Sequence, residues 1–240
     1  MWPSVLSTSS SLFFIKMSWR PLYVLIACEE SQAECSAFRA IGHIAYSCDI
    51  KPCRRGANPD WHIVGDCRPL LQSRHVFYNQ SGDIQRVPGW DLIIAHPPCT
   101  YLTKVGSIWL YDNPDFVHIK NDVSSFINSK RYLQMMQARE FFMECLCAAA
   151  PYLAVENPIP MSMANLPRPT TYVCPSWYGC KYSKKTLYWL KNLPDLMPEI
   201  CPGDVKSLVH HSRGIYRSRT YPGLARAMAK QWSNYIIDNL

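Results

Sequence analysis

A cysteine and a glutamate each follow an apolar run of the sequence, and together they could perform covalent chemistry. Cys99 stands in the segment WDLIIAHPPCTYL at 90–102, directly after two prolines. Because prolines lack an amide hydrogen and have a fixed φ, the predicted strand ends there in a rigid turn. Glu156 ends a second apolar run, YLAVENP at 152–158. Open α/β sheets carry their chemistry at the carboxyl ends of strands, which is where these two side chains are expected.

Three further predicted strand ends carry acidic side chains. The turn ACEES at 27–31 follows the first strand, and Asp49 and Asp66 close the second and third. An acidic residue about twenty positions beyond the end of the first strand is suited to accept hydrogen bonds from ribose hydroxyls, and Asp49 fits that role. A turn-forming aspartate before the sequence IKP is the alternative interpretation of Asp49.

Alternating strands and helices must position these groups. Short apolar runs predict buried parallel strands, and apolar residues near helical spacing predict helices between them. The predicted strands are 21–27, 43–50, 61–67, 90–96, 152–158 and 186–194, and the predicted helices are 31–40, a long helix within 121–150, and 224–240. This order predicts an α/β fold with a Rossmann-like, doubly wound and mostly parallel sheet.

The composition indicates a single globular domain. Of the 240 residues, 48% are hydrophobic and 18% are charged, which is typical of a folded chain. The first sixteen residues lack the basic region of a secretory signal. We therefore expect 1–20 to be a poorly ordered extension and 21–240 to be one catalytic domain. No apolar run approaches the roughly eighteen residues of a membrane-spanning helix.

The cysteines suit reduced thiols in the cytoplasm better than a disulfide scaffold. There are eleven of them, and the chain is long enough to fold around its own core. The spacings of Cys174, Cys180, Cys201 and the pair His210–His211 match no tight CxxC pair. We therefore expect no metal site.

The net charge of +7 is concentrated in one segment of the chain. Between Arg168 and Lys230 there are eleven Lys/Arg and three Asp/Glu. Basic groups neutralise phosphates and aromatic rings stack on bases, so the segment suits nucleic acid. A solvated basic face with core aromatics would give the same pattern. The interleaved aromatic residues are Tyr172, Trp177, Tyr178, Tyr182, Tyr188, Trp189, Tyr216 and Tyr221.

The motifs HPPCT and AVENP resemble those of the cytosine-5 DNA methyltransferases. In that family a Pro-Pro-Cys loop supplies the nucleophile, and a Glu-Asn pair on the next strand holds the target base. The segments VLIACEESQAECSAFRAIGHIAYSCDI and SRTYPGLARAMAKQW look like compact methyltransferase-like proteins of phages and bacteria, and the resemblance covers 22–235. It implies a class I S-adenosylmethionine-dependent methyltransferase fold, acting on DNA in a bacterial or phage-infected cell.

The resemblance implies a reaction for Cys99 and Glu156. The Cys99 thiolate would add to cytosine C6 and so make C5 reactive toward a methyl group, while Glu156 would share a proton with N3. The ring would then lose its C5 proton and expel Cys99. Pro97 and Pro98 would stiffen the loop, and Asn157 would orient it by hydrogen bonds. A duplex base would have to be flipped out of the stack to reach Cys99.

Further residues are expected to bind the cofactor and the substrate. Asp66 would accept a hydrogen bond from the adenine amino group of S-adenosylmethionine. Ser31 and Gln32 would offer backbone amides to its carboxylate, and Glu29 or Glu30 would meet its ammonium. The predicted cofactor-binding residues are Cys28, Glu29, Glu30, Ser31, Asp49, Asp66 and Pro97. The predicted substrate-binding residues are Pro98, Thr100, Asn157, Lys184 and Arg217.

Four features depart from the family pattern. The turn ACEESQAECSAF contains no glycine, and Thr100 and Pro158 stand where the family has Gln and Val. The segment 161–189 is predicted to be a reduced substrate-facing insertion, which is too short for a full target recognition domain. Two alternatives therefore stay open. One is a methyltransferase that acts on RNA or free nucleotides, and the other is an inactive nucleic-acid-binding protein on the same fold.

Overall fold

The computed structural model describes residues 20–112, 127–180, 184–200 and 219–240, so nearly all of the predicted extension 1–20 lies outside the described residues. The strands are β1 (Tyr23–Ala27), β2 (Ile44–Asp49), β3 (His62–Val64), β4 (Val76–Tyr78), β5 (Ile84–Arg86), β6 (Leu92–Ala95), β7 (Tyr152–Asn157), β8 (Thr171–Val173) and β9 (Thr186–Lys191). The helices are α1 (Ala33–Ala40), α2 (Arg68–Leu71), α3 (Ser129–Leu146) and α4 (Pro222–Asp238).

Seven of these strands form one sheet, in the order β3-β2-β1-β6-β7-β9-β8. β1, β2, β3, β6 and β7 pair in parallel, whereas β9 pairs antiparallel with both of its neighbours. The α/β class and the mostly parallel sheet are thus confirmed, and the topology is compatible with a Rossmann-like fold. The strand order reverses between β1 and β6, so a crevice is expected at the carboxyl ends of these two strands.

Helices cover both faces of the sheet because successive strand residues point to opposite sides. On one face, β1 residues such as Val24 and Ile26 pack with Phe38 of α1 and Trp232 of α4. On the other face, Leu25 shares a core with residues of α2 and α3. The predicted helix within 121–150 is observed as α3, and the part before 127 lies outside the described residues.

The segment 161–189 contributes directly to the central sheet. It contains β8 and the start of β9, together with short 3-10 turns at Ser162–Ala164 and Pro175–Tyr178. A reduced insertion was expected here, and β8 was not predicted, because only one of its three residues is buried. Four of its residues, Pro175, Lys184, Thr186 and Tyr188, nevertheless line a cleft at the carboxyl edge of the sheet.

The first turn of α4 lies in close contact with the turn Pro175–Tyr178. A Cβ atom on Gly223 would collide with the backbone carbonyl oxygen of Tyr178. Backbone cannot move aside as a flexible side chain can, so only glycine allows this approach. The position of α4 against the sheet therefore depends on Gly223.

We expect Gly223→Ala to lower the free energy of unfolding by about 1–3 kcal/mol, because the added methyl group overpacks the contact with Tyr178. Urea denaturation followed by circular dichroism measures this change. Gly89→Ala is the matched control, since a Cβ atom added there would lie 3.9 Å from its nearest neighbour, an atom of the His75 ring. The control should change stability by no more than about 0.5 kcal/mol. Equal losses in both variants would contradict the proposed contact.

None of the helices in the described ranges combines the length and the apolar character that are needed to cross a membrane.

Candidate functional site

A cleft with a volume of about 360 Å³ opens at the carboxyl ends of β1, β2, β6 and β7, where the strand order reverses. It unites side chains from turns that are far apart in the sequence. Eleven predicted site residues line it, namely Cys28, Glu29, Glu30, Ser31, Asp49, Pro97, Pro98, Cys99, Thr100, Glu156 and Lys184. Asp66 and Asn157 are not among its lining residues, and Arg217 lies outside the described residues.

The loop that carries Cys99 is attached by its backbone to the end of β7. The Lys104 amide donates to the Ile159 carbonyl at 2.9 Å, and the Met161 amide donates to the Leu102 carbonyl at 2.7 Å. Within the loop, the amides of Leu102 and Thr103 donate to the Cys99 carbonyl. The backbone of Cys99 is therefore fixed relative to the strand that carries Glu156.

Arg131 of α3 holds the same loop from the other side. Its guanidinium donates to the Thr100 carbonyl at 3.0 Å and lies over the Tyr101 ring, 4.3 Å from the ring centroid. The backbone amide of Arg131 is itself bound by the Asn128 side chain, which caps α3. Cys99 is half-buried, so its thiol lies at the surface of the cleft on a loop held from two directions.

His96, the residue before the two prolines, lies between two carboxylates. Its Nε2 atom is 2.7 Å from a carboxylate oxygen of Glu34, and its Nδ1 atom is 3.3 Å from one of Glu156. Burial by itself lowers the pKa of His96, but the Glu34 and Glu156 carboxylates outweigh it and raise the pKa well above its ordinary value. The charged form of His96 is therefore favoured, and in that form the ring donates a hydrogen bond to each carboxylate.

The sequence analysis assigned no role to His96 or to Glu34. Glu34 is completely buried, and its second carboxylate oxygen has no hydrogen-bond partner among the described residues. A buried carboxylate requires a compensating charge, and the imidazolium of His96 supplies it. An acidic residue on the buried face of α1, in the sequence AECSAF, is the signal that could have indicated such a partner.

Glu29 caps the first turn of α1. Its carboxylate accepts the backbone amides of Glu34 at 2.9 Å and Cys35 at 3.3 Å, and the Ser31 hydroxyl at 3.3 Å. Burial, together with the nearby Glu34 carboxylate, raises the pKa of Glu29 to about 7. Glu29 was predicted to meet the cofactor ammonium. It lines the cleft, but its carboxylate also accepts hydrogen bonds from backbone amides of α1.

The turn without glycine is built from residues that adopt left-handed backbone conformations. Cys28 has a φ of 62° and Gln32 a φ of 56°. Gln32 is fixed there, because its side-chain amide exchanges two hydrogen bonds of 2.8 Å with the backbone of Asn58. The chain thus forms a tight strand-to-helix turn at some conformational cost, which glycine would avoid.

The pKa of Glu29 makes stability depend on pH. Since the folded state keeps this proton up to about pH 7 and the ordinary value is 4.5, the folded state binds more protons between these limits. Stability should therefore fall as the pH rises from 4.5 to 7, by on the order of 3 kcal/mol from this group. Glu29→Gln should flatten that decline in denaturant titrations between pH 4.5 and 6.5. Glu140→Gln, at an exposed position of α3, is the control and should keep the wild-type dependence of stability on pH. If stability in Glu29→Gln declines in parallel with wild type, Glu29 is not the group responsible.

The other predicted acidic residues have different surroundings. Asp49 ends β2 in the cleft and accepts the Lys51 amide at 3.0 Å, so it also forms the turn that was the alternative interpretation. Asp66 is exposed, and its carboxylate accepts hydrogen bonds from the backbone amide and the guanidinium of Arg68. β3 ends at Val64, two residues before Asp66, and the side chain lies outside the lining of the cleft.

Asn157 and the aromatic residues also differ from expectation. Asn157 is completely buried, and neither atom of its side-chain amide has a hydrogen-bond partner among the described residues, so the expected bond to the Cys99 loop is not observed there. Tyr178, Tyr188 and Trp189 belong to the core, in agreement with the alternative interpretation of the basic segment. Tyr172 is exposed with Lys185 over its ring, whereas Tyr182 and Tyr216 lie outside the described residues.

Within the described ranges, no three metal-ligating side chains are grouped as an ion site, and the ten cysteines there form no disulfide. Cys201, His210 and His211 lie outside these ranges. Compared with models of known protein families and with curated proteins, the chain matches none.

Proposed function

We propose that this protein is an S-adenosylmethionine-dependent methyltransferase that modifies cytosine C5 in DNA through a covalent adduct with Cys99. The observation that carries the proposal is that Cys99, on a loop fixed by its backbone, and Glu156 line one cleft at the point where the strand order reverses. A nucleophile and a proton-sharing carboxyl at the same crevice are the parts that this reaction needs. The reaction takes place in the cytoplasm, where nucleic acid and the cofactor are both available.

The residues of the cleft fit the proposed cofactor. Asp49, at the end of β2, offers a carboxylate to ribose hydroxyls. Glu30, on the turn after β1, is paired with Arg54 through one carboxylate oxygen and offers the other oxygen to an ammonium group. Pro97 and Tyr221 contribute apolar surface beside them. When bound, S-adenosylmethionine supplies an electrophilic methyl group.

Cys99 forms and later breaks the covalent bond to the base. Its thiolate adds to C6 of cytosine, and the electron pair of the C5–C6 bond moves toward N3, which takes a proton. The resulting enamine is nucleophilic at C5 and accepts the methyl group. Loss of the C5 proton to a base then re-forms the C5–C6 double bond and expels the Cys99 thiolate, and N3 returns its proton to Glu156. The fixed loop lowers the entropic cost of each addition, because the thiol is already positioned.

His96 and Glu156 together hold the proton that N3 requires. The imidazolium of His96 faces a carboxylate oxygen of Glu156 at 3.3 Å, with Glu34 behind it at 2.7 Å. As negative charge develops on the base, the proton passes through Glu156 to N3 and the neutral imidazole remains hydrogen-bonded to the pair. Glu34 orients the ring and favours its charged form between turnovers.

One observation favours a second function, that of a nucleic-acid-binding protein without cofactor binding. Glu29 already occupies the amides of Glu34 and Cys35 at the start of α1, and a helix start of this kind is where a bound anion is commonly held. Calorimetry with S-adenosylmethionine separates the two functions. An absence of binding at millimolar cofactor would favour the second function and rule out the enzyme.

Transfer of tritium from labelled S-adenosylmethionine tests the reaction and its substrate. Duplex DNA, single-stranded DNA, RNA and cytidine nucleotides are compared in parallel, and we expect incorporation into DNA at C5. An oligonucleotide with 5-fluorocytosine should form a stable adduct, because fluorine cannot leave as the proton does. Labelling of RNA or nucleotides alone would redirect the proposal to those substrates, and labelling of none would contradict it.

A further inference from the structure

A second pocket, with a volume of about 490 Å³, adjoins the cleft. The two cavities share Ser31 and Arg219 in their linings, so they lie side by side. Its walls come from α1, from the loop after β2 and from the start of α4. We define the arginine pocket by its four basic side chains, Arg54, Arg55, Arg219 and Arg226.

The charge of the arginine pocket is not neutralised by its own lining. No aspartate or glutamate belongs to the lining residues within the described ranges. Arg54 is paired with Glu30 at 2.6 Å, whereas Arg55, Arg219 and Arg226 take part in no ion pair within the described part of the chain. Three guanidinium groups thus surround a cavity without a compensating carboxylate, an arrangement that attracts an anion.

The loop that carries Arg55 is anchored at both ends of its turn. Asn58 exchanges two hydrogen bonds with the buried side chain of Gln32, and the Arg54 amide donates to the Glu30 carbonyl at 3.0 Å. Arg54 adds its ion pair with Glu30 to the same attachment. A loop held in this way has little backbone freedom to lose on binding, and it carries Arg55 with its side chain exposed at the pocket.

The amino terminus of α4 adds to the attraction for anions. This helix has 17 residues and begins at Pro222, in the wall of the pocket, with no side chain capping its first amides. The positive end of its dipole therefore points toward the same cavity as the guanidinium groups. Arg226 lies about one turn along α4, on the same side as Pro222.

We propose that the arginine pocket binds a phosphate group of the nucleic acid whose base occupies the cleft. Planar guanidinium groups match phosphate oxygens in paired hydrogen bonds, and a cavity of this size has room for a phosphodiester and its sugar. The identity of the ligand rests on the proposed function, whereas the affinity for phosphate does not depend on any methyl transfer.

Binding without cofactor tests this site. The probes are a fluorescein-labelled, cytosine-containing DNA oligonucleotide, with cytidine 5′-monophosphate, cytidine and inorganic phosphate as competitors. Arg55→Gln and Arg226→Gln should each weaken oligonucleotide affinity roughly tenfold. The double variant should lower the slope of log affinity against log salt by about two. Arg86→Gln, at an exposed arginine of β5 outside both cavities, is the matched control and should stay within about twofold of wild type.

The competitors distinguish the source of the phosphate. If cytidine 5′-monophosphate competes strongly with wild type and this competition is lost in the double variant, the pocket binds a nucleotide phosphate. Weak competition, with the oligonucleotide still dependent on both arginines, assigns it to the DNA backbone. An equal loss in Arg86→Gln, or competition by cytidine that is strong and equal to that of its monophosphate, would overturn the site. Thermal melting of each variant confirms folding. If no tritium is transferred but oligonucleotide binding still depends on the two arginines, the methyltransferase activity is rejected and the phosphate site stands.

Discussion

Cys99→Ser is expected to reduce methyl transfer by at least about a thousandfold, because a hydroxyl is far less ionised than a thiol and adds poorly to C6. The affinity for S-adenosylmethionine should stay within about twofold, since the loop backbone is fixed by its hydrogen bonds to the exit of β7 and not by the sulfur. Tritium incorporation measures the first quantity, and calorimetry measures the second. Retention of transfer within about tenfold of wild type would show that no covalent bond to Cys99 is needed.

A matched cysteine controls for the loss of a thiol as such. Cys147 is exposed at the end of α3 and does not line the cleft. Cys147→Ser should therefore transfer methyl groups at the wild-type rate, within about twofold. The 5-fluorocytosine adduct should form with wild type and with Cys147→Ser, and should be absent with Cys99→Ser. An adduct that persists in Cys99→Ser would assign the nucleophile to another residue.

His96→Gln is expected to lower the rate of the chemical step by about a hundredfold to ten-thousandfold, the usual contribution of a positioned general acid. Glutamine keeps a polar side chain between Glu34 and Glu156 but carries no proton to give. Because the two carboxylates raise the pKa of His96 well above its ordinary value, wild type should hold its rate through neutral pH. The rate should decline only as His96 loses its proton under alkaline conditions.

Single-turnover rates across pH test this role separately from folding. The alkaline decline should disappear in His96→Gln. In Glu34→Gln it should move to lower pH, because His96 then loses the neighbouring charge that favours its protonated form. His75→Gln, a half-buried histidine that lines neither cavity, should show the wild-type profile. Unchanged rates and an unchanged alkaline decline in His96→Gln would exclude it from the proton path.

The sequence predicted the fold well where the apolar runs were long. All six predicted strands are present within a few residues of the expected bounds, because most of their residues are buried and leave continuous runs of apolar side chains. The strands β4, β5 and β8 were missed, since none of these three-residue segments is a continuous buried run. β3 was found, but it is shorter than expected at 61–67.

The candidate site was predictable as far as it depends on strand ends. Cys99, Glu156 and Asp49 meet in one cleft because parallel strands bring their carboxyl ends to one edge. The contact between His96 and Glu34 was not predictable, because it joins a loop to a helix face 62 positions earlier in the chain. The arginine pocket was likewise missed, since Arg54 and Arg55 lie far from the basic segment that begins at Arg168.

The attachment of the Cys99 loop to the end of β7 has a consequence for engineering. Residues 97–104 and 158–161 are joined by two backbone hydrogen bonds, which form an antiparallel bridge between Thr103 and Pro160. A loop transplanted from another protein to replace 97–104 would therefore have to be exchanged together with the segment 158–161 that follows β7. A graft that lengthens only one of the two segments would shift Cys99 relative to Glu156, even if every residue lining the cleft were kept.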